Sequence, residues 1–243
     1  MTTTPETTAG RNLDENTVRI PVAVVTGATG GMGQAIAAAL AETHIVYALG
    51  RNEVKLHAMA SERIIPVASD LLQLSDANPL PEGLLGVDRV DVLVHAAAVA
   101  TRVPLQETTT NQWQRQMMLN VIAPATLTRA LMPALEASKG LVVFINSGAG
   151  THVHAGLGLY CATKHALYAL ADTLRKETSA SGVRVTTIAP GPTDTEMLQG
   201  ITEGEYTPEK YIDPQEVAGA LLSVLAVGDS AQIANISVRP RSE

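Results

Sequence analysis

From Arg19 onward the chain alternates between two hydrophobic patterns. Short, almost wholly apolar runs occur at PVAVVT (21–26), IVYALG (45–50), IIPVA (64–68), VDVLVH (90–95), LVVFIN (141–146), VRVTTI (183–188) and QIANISV (232–238). Their length and β-branched content mark strands, and the lack of apolar–polar alternation marks strands covered on both faces. Between them lie GMGQAIAAALAET, EVKLHAMAS, a long segment over 110–137, YCATKHALYALADTLRKETS and PQEVAGALLSVLAV, with apolar residues at helical three- and four-residue spacing. The alternation predicts an α/β fold: a doubly wound, mostly seven-stranded parallel sheet, Rossmann-like, with helices on both faces. The Pro/Gly clusters NPLPEG (78–83) and APGPTDT (189–195) read as loops. With no internal repeat or linker, residues 19–243 are expected to be one domain. MTTTPETTAGRNLDENT lacks apolar periodicity, so residues 1–18 are expected to be a disordered tail.

Composition narrows the partners. The chain has 243 residues, 46% of them hydrophobic, and a net charge of −7. With no basic run, this argues against a nucleic-acid backbone or an anionic membrane as the main partner. Cys161 is the single cysteine, so no disulfide forms within the chain and a reducing compartment is expected. The start has no signal-peptide pattern, and no later apolar run is expected to reach the ~18 residues of a spanning helix. A cytoplasmic protein is the expectation.

The stretch VVTGATGGMG (24–33) ends the first strand and opens the first helix. Gly27 lets the chain turn sharply, while Gly31 and Gly33 remove side chains where a pyrophosphate could approach amides and helix could pack on strand. A helix N-terminus there favours an anion. A glycine cluster alone also fits a tight turn with no ligand.

Tyr160 and Lys164 are one helical turn apart and share a face, so the ammonium is expected to favour the phenolate and make Tyr160 an acid/base candidate. An ordinary surface Tyr–Lys pair has the same spacing. At the end of the second strand, Gly50 and Arg51 stand where an NAD-binding site carries an acidic residue for the ribose 2′-hydroxyl. Arg51 could pair with a 2′-phosphate, which favours NADP over NAD, although Gly30 stands where some NADP-binding chains carry a basic residue.

In order and spacing, T26-G27-A28-T29-G30-G31-M32-G33, Asp70, Asn120 in LNVIAP, Ser147 in INSGAG, Y160-C161-A162-T163-K164 and P190-G191-P192-T193-D194-T195 resemble the short-chain dehydrogenase/reductase family, over nearly all of residues 20–240. The resemblance implies hydride transfer between a nicotinamide and a small carbonyl or alcohol substrate. It implies a catalytic set of Asn120, Ser147, Tyr160 and Lys164, with Ser147 donating to the substrate oxygen. It also implies cofactor contacts at Gly27, Thr29, Gly31, Met32, Gly33, Arg51, Ala97, Pro190 and Gly191, with Asp70 at the adenine, Lys164 on the nicotinamide ribose and Thr195 at the carboxamide. Homo-oligomers dominate the family, so a homodimer or homotetramer using helices 110–137 and 160–178 is expected.

Several residues depart from the family pattern. H95-A96-A97-A98 replaces the common Asn-Asn-Ala-Gly, and His95 is expected to be a structural hydrogen-bonding residue. His152 and His154 lack a third convergent ligand, so no metal is expected and they are assigned to a substrate pocket. Cys161 is turned about 100° from Tyr160 and is expected to pack. The end ANISVRPRSE lacks the Gly-rich finish of many tetrameric relatives. A silent NADP-binding regulator of the same fold is the alternative reading. Sugar-nucleotide epimerase or dehydratase chemistry is disfavoured by chain length and glycine spacing.

Two further expectations concern shape. The segment 197–211, with Gly200 and Gly204, reads as a mobile lid over the substrate. Pro124 has no N–H for the Asn120 carbonyl, so a continuous helix over 110–137 is expected to kink there. By the resemblance, the released carbonyl would hold a water joining Lys164 to solvent.

Overall fold

All seven apolar runs form strands, and all pair in parallel, in the order β3-β2-β1-β4-β5-β6-β7. The structure, a computed structural model, describes residues 19–228 and 230–241; the tail expected over 1–18 lies outside the described residues. The strands are β1 Val22–Thr26, β2 Ile45–Gly50, β3 Ile64–Ala68, β4 Val92–His95, β5 Leu141–Ile145, β6 Arg184–Pro190 and β7 Asn235–Val238. Alternate residues feed two separate cores. Ala23, Val25, Val94, Val143 and Ile145 face one side, while Val24, Leu93, Val142, Phe144 and Val185 face the other. Both sides are apolar because both are covered, which is why the strand runs show no polar alternation.

On the first side lie α1 (Gly31–Ala41) and α7 (Pro214–Leu225), through Ile36, Leu40, Val217 and Leu221. On the second lie α4 (Ala123–Ser138) and α5 (Gly158–Glu177), through Leu127, Leu131, Leu167 and Ala171. The short α2 (Glu53–Met59) and α6 (Glu196–Ile201) sit at the carboxyl end of the sheet. The chain steps outward from β1 in both directions, so a crevice opens between the loops after β1 and β4.

The helix expected over 110–137 is not continuous. It is α3 (Thr110–Met117), a π-helical turn over Met118–Ile122, then α4. Within that turn the Ala123 N–H bonds to the Met118 carbonyl, five residues back. The proline at 124 falls just after this wider turn, so the lost N–H is met by a local change of helix type at Asn120. The expectation that no apolar run reaches spanning length is also corrected. Thr110–Ser138 has 29 residues and a window of mean hydropathy 1.2, half of it buried in the protein. Its apolarity serves packing: Leu119, Leu127, Leu131 and Leu135 belong to the second core. Among the described residues, no other helix is long and apolar enough to cross a membrane.

Candidate active site

The first part of the site is made of backbone. Gly27 has φ +67°, and a Cβ on it would lie 2.7 Å from the Ala97 main chain, so only glycine lets the β1 and β4 loops approach this closely. A Cβ on Gly33 would overlap the Gly27 carbonyl oxygen, which seats α1 on its own turn. At Gly31 the neighbour is the Thr195 side chain, whose Cγ2 would be 2.8 Å from an added Cβ. The space read from the sequence as clearance for a pyrophosphate is thus shared with the loop after β6. Gly30 caps α1 without any side-chain bond, and the first turn carries no acidic residue, leaving its N–H groups open to an anion.

A groove of about 540 Å³ runs along this backbone. Thr29, Met32 and Ala97 line it, as do Arg51 just past β2, Asp70 past β3 and Thr195 past β6. Gly50 is needed because Thr29 lies against it, with Oγ1 3.0 Å from where a Cβ would be. One Asp70 oxygen accepts from the Leu72 N–H at 3.1 Å and fixes the carboxylate at the groove wall. A glycine cradle, an open helix N-terminus and a cationic residue at one end together fit a dinucleotide.

The second part is made of side chains. A second cavity of about 630 Å³ is lined by Ser147, Tyr160, Pro190 and Gly191, and it shares Met32, Thr195, Met197 and Ile201 with the groove. The Ser147 side chain caps a short turn, accepting from the Ala149 N–H at 3.1 Å, and lines the cavity together with Tyr160. Lys164, 2% exposed, donates from Nζ to the Ile145 carbonyl at 2.9 Å and lies 5.7 Å from the centre of the Tyr160 ring.

Burial governs the titration of both groups. Desolvation pushes the Tyr160 phenol up to about 12, against a smaller lowering by its bond to Ser147. Desolvation likewise brings Lys164 down to about 7. The expectation that the ammonium would favour phenolate is therefore reversed in the protein alone: Tyr160 is a protonated donor at neutral pH.

Asn120 lies close by, but its side chain is already engaged. Oδ1 accepts from the Val99 N–H and Nδ2 donates to the Val99 carbonyl, both at 2.9 Å, and Nδ2 also donates to Thr163 Oγ1 at 3.0 Å. It ties the loop after β4 to α5, leaving its main chain as the part able to serve a reaction. His95 has a structural setting: Nε2 and Thr128 Oγ1 lie 2.7 Å apart, the ring stacks on Phe144 at 5.0 Å, and burial holds its pKa near 3. Cys161 packs with Ala149 and Leu157. His152 and His154 line the second cavity, and the described residues contain no metal-like cluster of His, Cys, Asp or Glu.

Segment 197–211 supplies Met197, Leu198, Ile201 and Thr202 to the cavity wall. Contacts from neighbouring elements hold it. Arg102 Nε donates to the Ile201 carbonyl at 2.8 Å, the Tyr206 hydroxyl donates to Asp194 at 2.6 Å, and Glu196, just before the segment, pairs with Lys55 at 2.7 Å.

Sequence reading assigned no role to the residues that hold the others in place. Thr26 Oγ1 accepts from both the Ala96 and Ala97 N–H groups, at 3.1 and 3.2 Å, locking the β1 loop to the β4 loop. Asn146 accepts from the Ser147 N–H and donates to the Lys164 carbonyl, bridging β5 to α5. Each stands next to a residue already singled out, Gly27 and Ser147, and that adjacency was the available signal. Lys55, Arg102 and Glu196 had none.

Comparison with known proteins agrees with this arrangement. Residues 21–206 match the short chain dehydrogenase family. A putative short-chain dehydrogenase/reductase from Corynebacterium glutamicum is 40% identical with a TM-score of 0.70, over 90% of this chain and 99% of that one. A metagenomic short-chain oxidoreductase in complex with NADP is 31% identical with a TM-score of 0.76, over 92% and 98%. Glycine betaine reductase of Emericella nidulans is 32% identical over 91% of this chain, which spans 19% of that protein's length. A glycine cradle at the switch point, a Ser–Tyr–Lys cluster beside it and the family match over most of the sheet lead to one conclusion: the chain belongs to the short-chain dehydrogenase/reductase family and is an NAD(P)-dependent oxidoreductase.

Proposed function

We propose that the protein interconverts a carbonyl compound and its alcohol, with NADP(H) preferred over NAD(H) and Tyr160 as the acid/base. One observation carries the reading: Ser147 and Tyr160 line the apolar-walled cavity that shares a wall with the groove, and the buried Lys164 ammonium lies 5.7 Å from the Tyr160 ring centre. A nicotinamide dinucleotide bound along the groove would supply or accept the hydride.

The chain's own residues do the rest. Gly27, Thr29, Gly31, Met32, Gly33 and Ala97 would cradle the diphosphate stretch, Asp70 would accept from the adenine, and Arg51 would pair with the 2′-phosphate. Pro190, Gly191 and Thr195 would border the carboxamide, and Lys164 would hold the ribose. The substrate oxygen accepts from Ser147 and Tyr160. As the carbonyl carbon gains hydride, the Tyr160 O–H bond breaks and its proton passes to that oxygen, so the negative charge is quenched as it forms. Tyr160 recovers a proton through Lys164 and a water on the Asn120 main-chain carbonyl. Segment 197–211 closes over the substrate. The working form is a cytoplasmic homodimer or homotetramer.

The test is a survey of ketones, aldehydes, quinones and secondary alcohols with both cofactors, following reduced-nicotinamide absorbance. Turnover with NADPH in excess of NADH is expected. A protein that binds NADPH but turns over no carbonyl or alcohol overturns the reading.

A further inference from the structure

Lys55 and Glu196 are far apart in sequence, on α2 and α6, yet Nζ and Oε1 meet at 2.7 Å. Both residues line the dinucleotide groove, together with Arg51 and Asn52. The pair is therefore a bridge between the wall that follows β2 and the wall that follows β6. Its members are unequal: the Lys55 side chain is 46% exposed and Glu196 86%, and the lysine's proximity lowers the Glu196 pKa.

We propose that Lys55 is a second cationic ligand for the cofactor's 2′-phosphate, and that Glu196 holds it in reserve until the phosphate displaces the carboxylate. The proposal rests on the NADP reading above and deepens it. Arg51 stands four residues before Lys55, with the Asn52 cap of α2 between them, so the two cations belong to one end of the groove. A dianionic phosphate brought there by Arg51 is a better partner for an ammonium than a single exposed carboxylate. A carboxylate left at that end repels the phosphate, so releasing Lys55 and removing Glu196 act in the same direction. NAD carries no phosphate at this position and leaves the bridge intact. Glu196 is thus a brake on NADP binding and Lys55 the group it restrains. An exposed ion pair is worth little, which sets a modest effect: about two- to fivefold in affinity.

The experiment is equilibrium titration of NADPH and NADH by fluorescence, with no substrate and no turnover, on the wild type, Glu196→Gln, Lys55→Gln and the double variant. Glu196→Gln is expected to raise the Kd ratio of NADH to NADPH about two- to fivefold, and Lys55→Gln to lower it. In the Lys55→Gln background, the gain from Glu196→Gln should shrink toward none. Equal changes for both cofactors, or a Glu196→Gln gain that survives intact without Lys55, overturn the proposal. NADPH binding no tighter than NADH in the wild type sinks the NADP preference instead. In that case, a Glu196→Gln gain confined to NADPH still identifies the latch, and its absence removes that as well.

Discussion

The two halves of the site are built in different materials. The cofactor half, from β1 to β4, has a floor of main chain shaped by glycines: the space of the absent side chain is filled by neighbouring backbone at Gly27 and Gly33 and by a threonine side chain at Gly31 and Gly50. The substrate half draws its wall from residues 32, 102, 146–160, 190–202 and 239, stretches far apart in sequence. A backbone surface has few solutions and tolerates little change; a side-chain surface can be rewritten without touching the fold.

The largest expected effect comes from breaking the backbone half. Gly33→Ala forces a methyl into the Gly27 carbonyl and should destabilise the protein by about 3 kcal/mol, the upper range for overpacking. Thermal melting should fall by about 10 °C. By contrast Leu198→Ala, on the half-buried cavity wall, should melt within a few degrees of wild type. Similar losses in the two variants would erase the distinction between the halves.

Tyr160→Phe tests the join between them. It should lower kcat by about 10²-fold while NADPH affinity stays within about twofold, because the phenol meets the substrate oxygen. Wild-type turnover on any accepted substrate would remove Tyr160 from the chemistry.

Lys164 belongs to the side-chain half but serves both, and its burial has a cost that depends on pH. Its folded pKa, about 7, lies below the unfolded value near 10.5. Between these values the unfolded chain holds the proton and the folded one does not, so stability rises with pH across that window. Below pH 7 the buried charge is carried in full. Lys164→Met should therefore stabilise the cofactor-free protein by about 2 kcal/mol at pH 6, an advantage that fades as pH climbs above 7. Denaturant melts at several pH values check this; a pH-independent difference would show that Lys164 is not buried as a charge. The smallest change is Arg51→Ala, which should narrow the NADPH-over-NADH preference about tenfold, roughly 1.4 kcal/mol. An unchanged ratio would free Arg51 of that role.

The same contrast explains what could be read from the chain. Gly27 and Gly33 announced themselves because only a requirement for missing side chains puts glycines at that spacing after a buried strand. The strands were legible because each is covered on both faces and so is apolar throughout. Tyr160 and Lys164 were legible through their spacing on one helix face, and Ser147 through the family resemblance. Arg102 was not, because its link to the Ile201 carbonyl depends on how distant loops fold back. The Tyr160 pKa was misjudged for a related reason: spacing along a helix reports the neighbouring charge but says nothing of the desolvation that outweighs it. Pro124 signalled a disturbance near Asn120, but a missing N–H does not by itself say whether a helix kinks or widens, and here it widens.

That wide turn also changes how the chain tolerates a loss of length. Removing a residue from an ordinary helix rotates everything beyond it by about 100°, which would swing Leu127, Leu131 and Leu135 away from the sheet. A ring closed five residues back holds one residue more than a ring closed four back, so deleting the exposed Ile122 lets the turn relax to the tighter form with α4 still in phase. The shortened chain would keep its core. It would also place the N–H of the present Ala125 four residues after Asn120, the α-helical donor position that Pro124 cannot fill. In this helix the spare residue and the proline beside it are one feature, and a deletion moves both by one position.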